Sequence, residues 1–163
     1  MTAGPGAASV VVAARPLLTF NAMDVPGQVR DAMIAHARFC YPEEACGLLA
    51  CDRDGRVRMV YALTNAEHSP VAYTVDPVEH LRAMRHAERN GWELAGVFHS
   101  HTHSPAYPSP TDVARAVEPD WVYVLVSLED EEAPEVRAFR IEGGKIVEEP
   151  LVVGGIGTRE SMR

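Results

Sequence analysis

The sequence predicts one α/β domain in which a mixed β-sheet is flanked by helices, and three observations carry that expectation. A chain of 163 residues with 47% hydrophobic and 23% charged side chains has the size and composition of one globular domain. Apolar residues recur at helical spacing in some stretches and form short, unbroken β-prone runs in others. Asp54-Gly55 and Gly143-Gly144 each separate two such runs, as hairpin turns do. With no internal repeat and no interdomain linker, interleaved strands and helices close into a single sandwich.

In chain order, residues 1–15 are expected to form a flexible N-terminal extension, 16–153 the domain and 154–163 a flexible tail. Asp24 is positioned to cap a helix with Pro26 in its first turn. Val29, Met33, Ala37 and Cys40 share one face of it, so the helix runs over 25–40 and stops at Pro42. Residues 45–51 and 57–63 form the first hairpin, and 71–75 a further short strand. Asp76-Pro77 repeats the cap-plus-proline start of a second helix, with Val78, Leu81 and Met84 on its apolar face and Asn90-Gly91 as its end. The run within 92–101 reads as a central, buried strand. Beyond a loop holding Pro105, Pro108 and Pro110 come a brief helix over 111–117 and a buried strand over 121–128. Residues 136–141 and 146–153 make the second hairpin.

Charge and cysteine content narrow the function. Fifteen basic against 23 acidic side chains leave a net charge of -8, which repels phosphate backbones and anionic lipid, so neither nucleic acid nor membrane is an expected partner. No apolar run approaches the roughly 20 residues of a membrane helix, and the first residues lack the basic start of a signal peptide. Cys40, Cys46 and Cys51 are odd in number and crowded, unlike a disulfide framework. They read as small buried residues of a cytoplasmic protein.

Chemistry concentrates after the central strand, where His99, His101 and His103 follow one another at alternate positions. Along an extended chain His99 and His101 point to the same side, about 7 Å apart, and can converge on one metal ion. Taken alone, a His-x-His pair is more often solvated or buried for structural reasons than metal-binding. Asp112, eleven residues later in the first turn of the brief helix, offers a third ligand. Two histidines and a carboxylate leave a fourth tetrahedral position for water, as in catalytic rather than structural zinc sites. A base is then needed, and Glu43 and Glu44 both stand just before the apolar run that opens the first hairpin.

Glu44-Ala45-Cys46-Gly47, His99-Ser100-His101, seven further residues to Ser109, and then Pro110-Thr111-Asp112 resemble the motif of the JAMM (MPN-plus) metalloproteases. The likeness spans roughly residues 20–150 and implies a JAMM-type, cytidine-deaminase-like mixed sheet. It implies one zinc ion per chain held by His99, His101 and Asp112. Glu44 is then the general acid/base, and Ser109 the hydroxyl that stabilises the tetrahedral oxyanion. Within the family the sequence resembles actinobacterial CysO-cysteine peptidases. That implies hydrolysis at the C-terminal Gly-Gly of a small ubiquitin-like sulfur carrier, with release of cysteine in cysteine biosynthesis. A homodimer is compatible with this reading. The chain departs from many members in having Thr102 where they have proline, and His103 has no counterpart in the motif.

Three rivals imply different outcomes. A nucleobase deaminase needs His-x-Glu followed by Pro-Cys-x-x-Cys, and only His86-Ala87-Glu88 is present. A non-catalytic scaffold of the same fold would lack the motif that this chain has. A deubiquitinase-like isopeptidase is expected to carry long insertions that the chain does not show.

Overall fold

The computed structural model describes residues 22–154, so the expected extension at 1–15 and, apart from Gly154 itself, the expected tail at 154–163 lie outside the described residues. The elements are β1 (Met23–Pro26), α1 (Gly27–Cys40), β2 (Cys46–Cys51), β3 (Val57–Leu63), α2 (Pro77–Arg89), β4 (Glu93–His101), α3 (Pro110–Arg115), β5 (Val122–Ser127), β6 (Glu135–Glu142), β7 (Lys145–Glu149) and β8 (Leu151–Gly154). Six strands form one sheet in the order β3-β2-β4-β5-β6-β7. Within this six-stranded sheet only the β4/β5 pair is parallel. Among the described residues, no helix is long and apolar enough to cross a membrane.

Helices cover both faces of this sheet. On one, Val29, Met33, Ile34 and Ala37 of α1 pack with Leu49, Phe98 and Val124. On the other, Ala83 of α2 packs with Leu48, Val97 and Tyr123, and Val113 of α3 lies against the same cluster. Strands β2 and β5 are therefore buried along their whole length, which is why their sequences are apolar runs rather than alternations.

Local chemistry explains the turns and caps. Asp52 Oδ1 accepts from the backbone N–H of Asp54 and Arg56, and Gly55 takes the left-handed φ of 80° that closes the first hairpin. Asp76 caps α2 by accepting from Val78 N and Glu79 N. Gly91 ends that helix, with Gly91 N donating to Glu88 O and Trp92 N to Ala87 O.

Five expectations need correction. Asp24 does not cap α1: it lies in β1, its carboxylate meets Arg56 Nε at 3.0 Å, and the helix starts after Pro26 without a side-chain cap. The stretch 146–153 is not one strand, because Pro150 has no N–H to continue a ladder. The chain leaves the main sheet there, and β8 pairs in parallel with β1. Residues 71–75 form no strand, only a bridge between Asn65 and Val75. The inward face of α2 is Ala83 and Ala87, whose small side chains let the helix lie close to the sheet, while Val78, Leu81 and Met84 face outward. Cys46 and Cys51 are buried as expected, but Cys40 is only half-buried beside His36.

Candidate functional site

The sheet brings the candidate residues to one end of its central strands. β4 and β5 run parallel and end together, with His101 opposite Ser127, and antiparallel β2 begins at that end. Cys46 pairs with His99, so the chain two residues before Cys46 carries Glu44 to the level of His101. Between them, Ser100 N donates to Ala45 O at 3.0 Å and Ala45 N donates to Ser100 Oγ at 2.7 Å. The residue inside His-x-His thus fixes the backbone beside Glu44.

Alternation along β4 puts His99 and His101 on the α2/α3 face, where α3 presents Asp112. His99 Nε2 lies 3.2 Å from His101 Nε2 and 3.2 Å from Asp112 Oδ1, and His101 Nε2 lies 3.1 Å from Asp112 Oδ2. These atoms form a compact group that can hold a metal ion. Ligand atoms at about 2.0–2.1 Å from a tetrahedral zinc stand about 3.3 Å apart, close to the His99–His101 separation and to the distance from each histidine to its nearer Asp112 oxygen. The proton arrangement agrees. His101 Nδ1 is 2.8 Å from Pro105 O and donates to it, which turns Nε2 toward Asp112, where the neutral ring would offer its lone pair to a metal ion.

Asp112 is held in place by its own helix. Ser109 Oγ accepts from Asp112 N at 3.1 Å, and Asp112 Oδ2 accepts from Ser109 N at 2.7 Å, a reciprocal capping box with Pro110 at the first helical position. Burial alone would raise the Asp112 carboxyl. Hydrogen bonds from His101 and His99 outweigh it and hold the group well below the usual carboxylate range. Burial pushes His99 below its ordinary value. Burial acts the same way on His101, where contact with Asp112 and Pro105 overrides it and raises the ring.

Glu44 and Glu43 part company. Glu44 is only 5% exposed, and its Oε2 is buried with no hydrogen-bond partner among the described residues. Burial pushes its carboxyl up to about 7, in the range suited to a proton shuttle at neutral pH. Glu43 is at the surface, 3.2 Å from His68 Nδ1. His103 stands outside the metal-ligand group and meets the Tyr41 hydroxyl at 3.3 Å. Buried Thr102 donates to Pro70 O at 3.4 Å, a contact that the proline common in the family at that position lacks.

Residues 26–142 match the family described as prokaryotic homologs of the JAB domain. The chain belongs to the prokaryotic JAB family. It is 45% identical over 124 residues to the CysO-cysteine peptidase of Mycobacterium tuberculosis, covering 76% of this chain and 85% of that protein. It is 35% identical over 116 residues to the desampylase of Haloferax volcanii, covering 68% and 84% respectively. A solution structure from Desulfitobacterium hafniense, 35% identical, superposes with a TM-score of 0.76 over 86% of this chain and 98% of the other.

In this JAB domain the residues that sequence reasoning missed are Asn65, Tyr73 and the Pro105 carbonyl. Asn65 is buried and donates to Glu44 O and Ala72 O, both at 3.0 Å. The Tyr73 ring stacks on His99, with centroids 4.5 Å apart and planes at 21°. The Asn65 contact with Glu44 and the Tyr73 contact with His99 are made across 21 or more residues of chain, so neither position carries a local signal of that role.

Proposed function

We propose that this chain is a zinc-dependent peptidase that cuts at the C-terminus of a small ubiquitin-like sulfur carrier and releases cysteine. The observation that carries the reading is the His99–His101–Asp112 group, with both histidines buried, in electrostatic reach of a buried glutamate with an unpartnered oxygen among the described residues. Similarity to a CysO-cysteine peptidase and to a desampylase supports the substrate class.

In this reading His99, His101 and Asp112 hold zinc, which when bound supplies Lewis acidity toward the oxygens of water and of the scissile carbonyl. Glu44 takes one proton from the attacking water as the new C–O bond forms, and returns it to the leaving amine as the tetrahedral oxyanion collapses and the peptide C–N bond breaks. The Ser109 oxygen is engaged with Asp112 N, which leaves its hydroxyl proton to donate to the oxyanion that develops on the carbonyl. No side chain forms a covalent intermediate. Burial of Cys46 raises its thiol to about 12, unlike an activated nucleophile.

A glycine-rich tail suits such a site, since without side chains it can lie extended and bring its backbone close to the reacting groups. We therefore place the cut directly after a terminal Gly-Gly. The test is mass spectrometry of a ubiquitin-like carrier extended by cysteine, before and after incubation with the zinc-loaded protein. Loss of one cysteine residue is expected. Cleavage of unstructured casein with no action on the extended carrier would refute the assignment.

A further inference from the structure

We propose that Tyr73 is the positioning residue that fixes the ring of His99 for metal binding, doing by stacking what a hydrogen bond does for His101. The inference rests on the metal-site reading above.

The two histidines are held differently. A metal-ligating imidazole ordinarily donates its second ring N–H to a carbonyl or carboxylate, which sets both tautomer and orientation. His101 does so through Pro105 O at 2.8 Å. His99 does not: its Nδ1 is buried and has no hydrogen-bond partner among the described residues. What it has is the face of Tyr73, nearly parallel at 21° and 4.5 Å between centroids. Such contact restricts rotation of the ring about its side-chain bonds, and so keeps Nε2 aimed at Asp112 and His101.

A side chain borne on irregular backbone holds a ligand only if that backbone is itself fixed. The segment that carries Tyr73 is tied on both sides. Asn65 donates to Ala72 O at 3.0 Å and accepts from Thr74 N at 3.2 Å, so one buried amide grips the residues before and after Tyr73. The same amide donates to Glu44 O at 3.0 Å. From the other direction Arg115, one helical turn beyond Asp112 on α3, donates to Tyr73 O at 3.2 Å and to Glu67 Oε2 at 2.6 Å. The stack on His99 is thereby registered both to the candidate base and to the helix that supplies the third ligand. Because the contact is made by the ring face, the aromatic ring is required and the hydroxyl is not.

The test is zinc affinity of the full chain, measured by competition with a chromophoric chelator, for wild type, Tyr73→Phe, Tyr73→Leu and Tyr73→Met. Tyr73→Phe should bind zinc as the wild type does, within about twofold. Tyr73→Leu should bind about 10–100-fold more weakly, the usual cost of losing a partner that orients a ligand. Tyr73→Met fills the space with a flexible chain and provides a second folded, non-aromatic variant with the same expected loss. Wild-type affinity in Tyr73→Leu or Tyr73→Met would overturn the proposal, as would an equal loss in Tyr73→Phe. A wild-type chain that binds no zinc would instead overturn the metal-site reading itself, so the two failures are told apart.

Discussion

At the scale of single residues, the proposed chemistry turns on the difference between two adjacent glutamates. Glu44 is buried with an unpartnered oxygen, whereas Glu43 pairs with His68 at the surface. Glu44→Gln should therefore lower kcat by about 10²–10⁴-fold with zinc retained, and Glu43→Gln should leave it near wild type. Metal analysis on the assayed preparations checks both. The raised carboxyl also has a stability consequence in chelator-treated protein. A folded value of about 7 against an ordinary 4.5 means that the folded state holds this proton more tightly. Its contribution is full below about pH 4.5 and is lost as pH rises through about 7. Glu44→Gln removes that loss, worth at most about 3 kcal/mol. Melting curves should show the variant more stable than wild type at pH 8 and no more stable at pH 4.5. Ser109 combines two roles. Ser109→Ala should cost about 1 kcal/mol through the lost cap. If the hydroxyl also serves the oxyanion, kcat should fall about 10²–10³-fold with zinc unchanged. A melting shift with undiminished kcat would leave Ser109 as a cap alone.

At the scale of elements, the site depends on how closely β2, β3 and β4 approach one another. Gly47 lies on β2 opposite Phe98, and a Cβ built there would overlap both the Tyr61 carbonyl oxygen and the Phe98 ring. Neither neighbour has room to retreat, since Phe98 is fully buried and Tyr61 is held in the β2/β3 ladder. Gly47→Ala is expected to cost roughly 3 kcal/mol or more. Because Gly47 is three residues from Glu44, any folded fraction should show a larger loss in kcat than in zinc content. A chemical-denaturation midpoint equal to wild type would show that the strands can separate to admit the methyl group.

At the scale of the whole molecule, the fold closes around a group that a cation would complete. Two buried imidazoles and a largely buried carboxylate converge there, each Nε2 lying 3.1–3.2 Å from the other or from an Asp112 oxygen, a donor set that suits a metal ion. A ligand bound only by the folded state stabilises it by mass action, about 4 kcal/mol at a thousandfold excess over Kd. Chelation should therefore lower Tm, and stoichiometric zinc should restore it. The same treatment of His99→Ala should move Tm little. Equal melting of metal-loaded and chelated wild type would count against a site built for metal.

By itself the sequence determined what depends on near neighbours. Ser109, Pro110 and Asp112 specify a helix start within four residues, Asp76-Pro77 specifies another, and Gly55 and Gly143-Gly144 specify turns through backbone freedom. The alternation that puts His99 and His101 on one side is likewise local, and the motif resemblance drew Asp112 and Glu44 toward them. Tertiary structure decided everything set by contact between distant segments. It decided that β1 pairs with β8, that alanines rather than Val78, Leu81 and Met84 face inward on α2, and that Glu44 is buried while Glu43 is not. It also decided that Asn65 and Tyr73 converge on the site. Periodicity reports that a face exists but not which neighbour covers it. An asparagine or tyrosine takes its role only from the groups that the fold brings within hydrogen-bonding or stacking distance.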